Sequence, residues 1–65
     1  SSVRFVPGTH GNGIVAVGSP GISYSPDQGE TWEELSSEGF YALEFVNDTI
    51  AFASGRNKIS KLHFK

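Results

Sequence analysis

The chain has 65 residues and a mass of 7.0 kDa, with a formal net charge of -2 and a sequence pI near 5.5. It has no cysteine, so no disulfide reinforces the thin core of a chain that buries only about 60% of its unfolded surface. The acidic balance argues against nucleic acid as a partner, which asks for a clustered basic patch, and no run of about 18 apolar residues is present for insertion into a membrane.

Eight glycines and three prolines cut the chain into short runs, none repeating apolar residues at helical spacing beyond one turn. Helices are therefore not expected. In chain order, enrichment in β-branched and aromatic residues predicts strands over 3–6, 14–17, 22–25, 31–35, 41–46, 49–53 and 59–64. Turn signals separate them: Pro7-Gly8, Asn12-Gly13, Pro20-Gly21, Asn47-Asp48 and Gly55-Arg56-Asn57. Two runs, "IVAV" from Ile14 and "IAFA" from Ile50, are apolar on both faces of the pleat. They predict central strands covered on both sides, so that sheet stacks on sheet. With only 65 residues to supply that cover, copies of the chain or further parts of a parent protein are expected to complete it.

The order of runs repeats. Laying "RFVPGTHGNGIVAVGSPGISYS" over "LEFVNDTIAFASGRNKISKL" matches Phe5-Val6 with Phe45-Val46, Ile14 with Ile50 and Ile22 with Ile59. A period of roughly 36–40 residues with three or four strands per unit points to propeller blades rather than to turns of a solenoid. The expected fold is all-β, an antiparallel meander of about seven strands. Residues 1–38 would form one complete four-stranded blade and residues 39–65 three strands of a second, a fragment of a larger β-propeller.

The stretch "SPDQGETW", from Ser25 to Trp32, fills every fixed position of the pattern Ser-x-Asp-x-Gly-x-Thr-Trp. It resembles the Asp box, or BNR repeat, of Asp-box β-propellers. "GISYSPDQGETWEEL" carries the specific part, while "GIVAVGSPG" before it and "FYALEFVNDTIAFASG" after it look like the flanking strands. The whole is similar to the C-terminal blades of bacterial photosystem-II-assembly-factor-like and BNR-repeat proteins. The resemblance implies a box in the turn between the third and fourth strands of a blade, and its residues have structural work to do. Asp27 can accept hydrogen bonds from the backbone of its own turn, Gly29 can supply a positive φ, Thr31 can close the turn with its hydroxyl, and Trp32 is expected to bury its ring against the neighbouring strand. With Ser25 at its head, the box is expected to be structural.

The same box occurs in sialidases, so the alternative is a fragment of a sialidase-like glycoside hydrolase whose catalytic residues lie outside this chain. Such enzymes carry an arginine triad, and this chain has two arginines, Arg4 and Arg56. "VRFVP" has one residue too many between Arg4 and Pro7 to match their Arg-Ile-Pro stretch. Tyr41 and Glu44, three apart on one expected strand, would face opposite sides. No enzyme activity is expected of the piece itself. "GTHGNG", Gly8 to Gly13, leads into a strand rather than a helix and is not a phosphate loop. His10 and His63 have no acidic partner at ligand spacing, so neither a metal nor another cofactor is expected. Asn47-Asp48-Thr49 fits a glycosylation acceptor but reads better as a hairpin turn. The last run should send Leu62 and Phe64 to one face and Lys61, His63 and Lys65 to the other.

All seven acids lie between Asp27 and Asp48, whereas Arg56, Lys58, Lys61 and Lys65 crowd the last ten positions. This dipole suits either head-to-tail assembly or ordinary solvated strand faces. The expected function is a non-catalytic structural or interaction module. Its partners would be the remaining blades of a parent protein or copies of itself, with a protein or glycan as ligand of the whole propeller, in an extracytoplasmic setting.

Overall fold

The computed structural model describes residues 2–64. They form seven strands: β1 (Ser2–Phe5), β2 (Ile14–Gly18), β3 (Gly21–Ser25), β4 (Glu33–Ser36), β5 (Ala42–Phe45), β6 (Ile50–Gly55) and β7 (Lys58–His63), with no helix among the described residues. Neighbours pair antiparallel in a four-stranded sheet of order β1-β2-β3-β4 and a three-stranded sheet of order β5-β6-β7. The all-β meander is therefore as the residue pattern predicts. β4 begins at Glu33 rather than Thr31 because Thr31 is held by the preceding turn.

Two connectors fix the register of the repeat. Ser19-Pro20 joins β2 to β3 between the paired Gly18 and Gly21, and Arg56-Asn57 joins β6 to β7 between the paired Gly55 and Lys58. Superposing these connectors puts Val15 on Phe52, Val17 on Ser54 and Ile22 on Ile59. Since Phe5 pairs with Ile14 and Phe45 with Ala51, Phe5 falls on Phe45 and Ile14 on Ala51. The sequence match of Ile14 with Ile50 is thus one residue out, while Phe5 with Phe45 and Ile22 with Ile59 hold.

Residues directly opposite on paired strands share a face. In the first sheet Val15, Val17, Ile22 and Tyr24 share one, and in the second Leu43, Phe45, Ala51, Ala53 and Leu62 share one. These two faces meet. The core between them holds Val6, Val15, Val17, Ile22, Phe40, Leu43, Ala51 and Ala53, with Tyr24, Phe45, Leu62 and Phe64 packed at its margin. Burial of each large side chain here contributes about 1.5–3 kcal/mol.

The central strands are not covered on both faces. Phe52 on the far side of β6 is 39% exposed, and Ile14 and Ala16 on the far side of β2 are only half-buried. The cause is geometric: each sheet has one neighbouring sheet among the described residues, so each hides one face. β7 alternates as its sequence predicts, with Leu62 and Phe64 half-buried and Lys61 and His63 exposed; Lys65 lies outside the described residues.

The link between the sheets is stitched to both. Phe40 N–H donates to the Gly18 carbonyl at 3.0 Å and Tyr41 N–H to the Ser54 carbonyl at 2.8 Å, which holds the Phe40 ring in the core. Arg4 crosses from β1 to β5, donating through Nε to the Leu43 carbonyl at 3.1 Å and pairing with Glu44 at 3.2 Å. Lys58 reaches Glu38 at 3.2 Å and places Nζ 4.5 Å above the Phe40 ring. Such exposed ion pairs contribute roughly 0–1 kcal/mol each.

Candidate functional site

β3 ends at Ser25 and β4 starts at Glu33, so the 25–32 turn sits between the third and fourth strands of the first sheet. Ser25 is fully buried, and a buried hydroxyl needs partners. It has them in full: its Oγ donates to Asp27 Oδ1 at 2.9 Å and accepts from the Gly29 N–H at 2.7 Å and the Asp27 N–H at 3.3 Å.

Asp27 spends both carboxylate oxygens inside the same turn. Oδ1 also accepts the Thr31 N–H at 2.8 Å, and Oδ2 accepts the Thr31 hydroxyl at 2.7 Å. Hydrogen bonds to the charged form favour it. The Thr31 hydroxyl, then the Thr31 backbone amide, and more weakly Ser25 and the amide of Asp27 itself hold its carboxyl below the ordinary 3.8 against the opposing effect of burial. The corner also needs two residues with positive φ, Gln28 at 62° and Gly29 at 93°. Glycine adopts that conformation freely, and glutamine does so at a cost.

Trp32 is not buried as the sequence expectation has it. It is 49% exposed, because the indole folds back over its own turn and donates Nε1–H to the Gly29 carbonyl at 3.0 Å. Its ring caps the corner instead of entering a sheet interface. Sequence reasoning also misses Gln28, whose N–H donates to the Asn12 carbonyl at 2.9 Å and whose side-chain amide donates to Asn12 Oδ1 at 3.0 Å. No local signal marks that pair, which ties the turn to the β1–β2 loop.

That loop is ordered by Thr9, whose Oγ1 donates to the Val6 carbonyl at 2.7 Å and accepts the Gly13 N–H at 2.9 Å. A cleft of about 350 Å³ opens between this loop and the β5–β6 turn. Tyr24 and Phe64 form its apolar floor, with ring centroids 5.7 Å apart, and Thr9, Asp48, Thr49 and His63 give it a polar rim. The β5–β6 turn itself is held by Asn47 Oδ1, which accepts the N–H groups of Thr49 and Ile50, both at 2.9 Å, and the Thr49 hydroxyl at 3.1 Å.

The remaining candidates are not brought together. Tyr41 precedes β5 rather than lying on it and is 61% exposed, while Glu44 on β5 pairs with Arg4. Arg56 lies in the β6–β7 connector. No group of three or more metal-ligating side chains occurs among the described residues, and no helix of the structure is long and apolar enough to cross a membrane. Searched against family models, the curated proteins and the solved structures, the chain matches none.

Proposed function

We propose that the chain supplies one complete blade and three strands of the next in an Asp-box β-propeller and serves as a non-catalytic scaffold for a binding surface. The observation that carries this is the use of Asp27: both oxygens are taken by Ser25 and Thr31 within one turn. A carboxylate so engaged, held ionised by its donors, lacks the proton of a general acid, and three of its roughly four acceptor sites are occupied within its own turn. What it does instead is close a tight corner between β3 and β4, the last two strands of the first sheet. The surface that such corners support includes the cleft floored by Tyr24 and Phe64, beside the β1–β2 loop.

Asp27→Asn tests the assignment. The variant keeps the shape of the side chain but turns one acceptor oxygen into a donor facing Thr31. A lowered melting temperature, with no hydrolysis of fluorogenic sialosides by either protein, is the expected outcome. An unchanged melting temperature together with wild-type hydrolysis that the substitution abolishes would overturn it and make the turn an active site.

A further inference from the structure

We infer that the two open sheet faces of this molecule bind each other between copies: the outer face of the β5–β7 sheet of one copy seats on the outer face of the β1–β4 sheet of the next. The grounds are the register equivalence and the burial it inverts. Ile22, fully buried on the inner face of the first sheet, is equivalent to Ile59, which is 73% exposed on the outer face of the second. Leu43, 1% exposed on the inner face of the second sheet, is equivalent to Val3, which is 68% exposed on the outer face of the first. Each outer face therefore presents the side-chain positions of the inner face that already packs in the other sheet. The contact between the sheets inside one molecule is a template for a contact between molecules.

Both outer faces expose large apolar side chains, which a solvated sheet face usually lacks. Phe5 is 65% exposed beside Val3, and Phe52 39% beside Ile59. Charge agrees with the direction of pairing. One arginine against five carboxylates gives residues 1–38 a charge of -4, and four cations against two carboxylates give residues 39–65 a charge of +2. On the outer faces Lys61, His63 and Glu44 share a side with Phe52, and Glu34 shares a side with Val3. Pairing two like faces would bring together two units of the same charge, whereas the head-to-tail arrangement brings the -4 unit against the +2 unit. A standard interface takes about 800 Å² from each partner, and an accessible surface of 4233 Å² leaves room for one on each side.

A contact of this kind uses two different patches, so it does not terminate at a dimer. It closes into a ring or runs on as a filament. On the propeller reading above, on which only the ring size rests, closure at about four to eight sheets corresponds to about two to four copies.

Sedimentation equilibrium of the 65-residue chain between 1 and 100 µM tests the inference. The expected mass is a multiple of 7.0 kDa, and Val3→Asp and Ile59→Asp each reduce it to that of one chain. Mixed in equal amounts, the two variants form a 1:1 complex and nothing larger, because each keeps the face that the other lacks. A folded wild-type monomer at 100 µM, a single variant that still dimerises through its intact face, or a mixture that stays monomeric overturns it. Circular dichroism and melting confirm that the variants fold, and Val3→Thr with Ile59→Thr, which keep strand propensity, are read the same way. The Asp27→Asn melting experiment does not depend on mass, so a monomeric chain destabilised by that substitution defeats this inference while leaving the propeller reading intact.

Discussion

Ile22 and Ile59 are the same residue at the same register position, each just past a two-residue connector, yet one is fully buried and the other is 73% exposed. Both sit on antiparallel strands, β3 with partners on both sides and β7 with β6 alone among the described residues, and both share a face with residues of the preceding strand, β2 or β6. The difference is which side of each sheet has a neighbour: the first sheet is covered on the face that carries Ile22, the second on the face opposite Ile59. In a stack of repeated sheets, burial belongs to the position in the stack, and an apolar residue pattern only records which faces are fit to be covered.

The sharpest way to break the comparison is to place the same side chain at two equivalent positions. Gly21 has a φ of 139°, and a methyl group there would collide with the Ser36 carbonyl of the paired β4. The equivalent residue in the second sheet is Lys58, whose strand has β6 on one side and no partner on the other among the described residues. Gly21→Ala is expected to cost more than about 3 kcal/mol, since strain of roughly 1–3 kcal/mol adds to the lost β3–β4 pairing. Lys58→Ala is expected to stay within about 1 kcal/mol, the size of its exposed ion pair and ring contact. Urea unfolding measures both, and comparable losses would mean that the β4 strand beside Gly21 does not distinguish the two positions. A smaller difference is expected between Ile22→Ala, at about 2–5 kcal/mol for a core truncation, and Ile59→Ala, within about 0.5 kcal/mol for an exposed site. Both are measured in the Val3→Asp background, in which contacts between copies are removed.

The parts legible in the sequence were those decided by neighbours in the chain. β-Branched runs and Gly, Pro and Asn punctuation locate all seven strands, because strand and turn preferences act over a few residues. The spacing of Asp27, Gly29 and Thr31 marks the corner for the same reason. Three features depend on distant partners and were not legible. Which face of β6 is open depends on where the other sheet lies. The Trp32 ring goes to the Gly29 carbonyl rather than to a strand because the turn offers an acceptor and no sheet covers that side. The pair of Gln28 with Asn12 spans sixteen positions. The misplaced match of Ile14 with Ile50 has its own cause: matching like residues rewards identity, whereas the ladder is set by the connectors, and there Ile14 falls on Ala51.

The subtlest form of the comparison sets one turn against another. Asn47 holds the β5–β6 turn through three hydrogen bonds to one amide oxygen, and that amide does not titrate. Asp27 holds the 25–32 turn with a carboxylate whose folded-state pKa lies below 3.8, chiefly through the Thr31 hydroxyl and amide. A group with a depressed folded-state pKa adds stability above its unfolded value and loses it as pH falls through the folded one. The stabilisation by Asp27 is therefore complete at neutral pH and disappears below 3.8. Asn at position 27 cannot follow that change, so the gap in melting temperature between wild type and Asp27→Asn should be widest near pH 7 and close as pH drops below that value. Calorimetric scans of the two proteins across that range read the gap directly. A gap that stays constant would show that Asp27 acts through its shape and not through its charge, which would make the two turns alike after all.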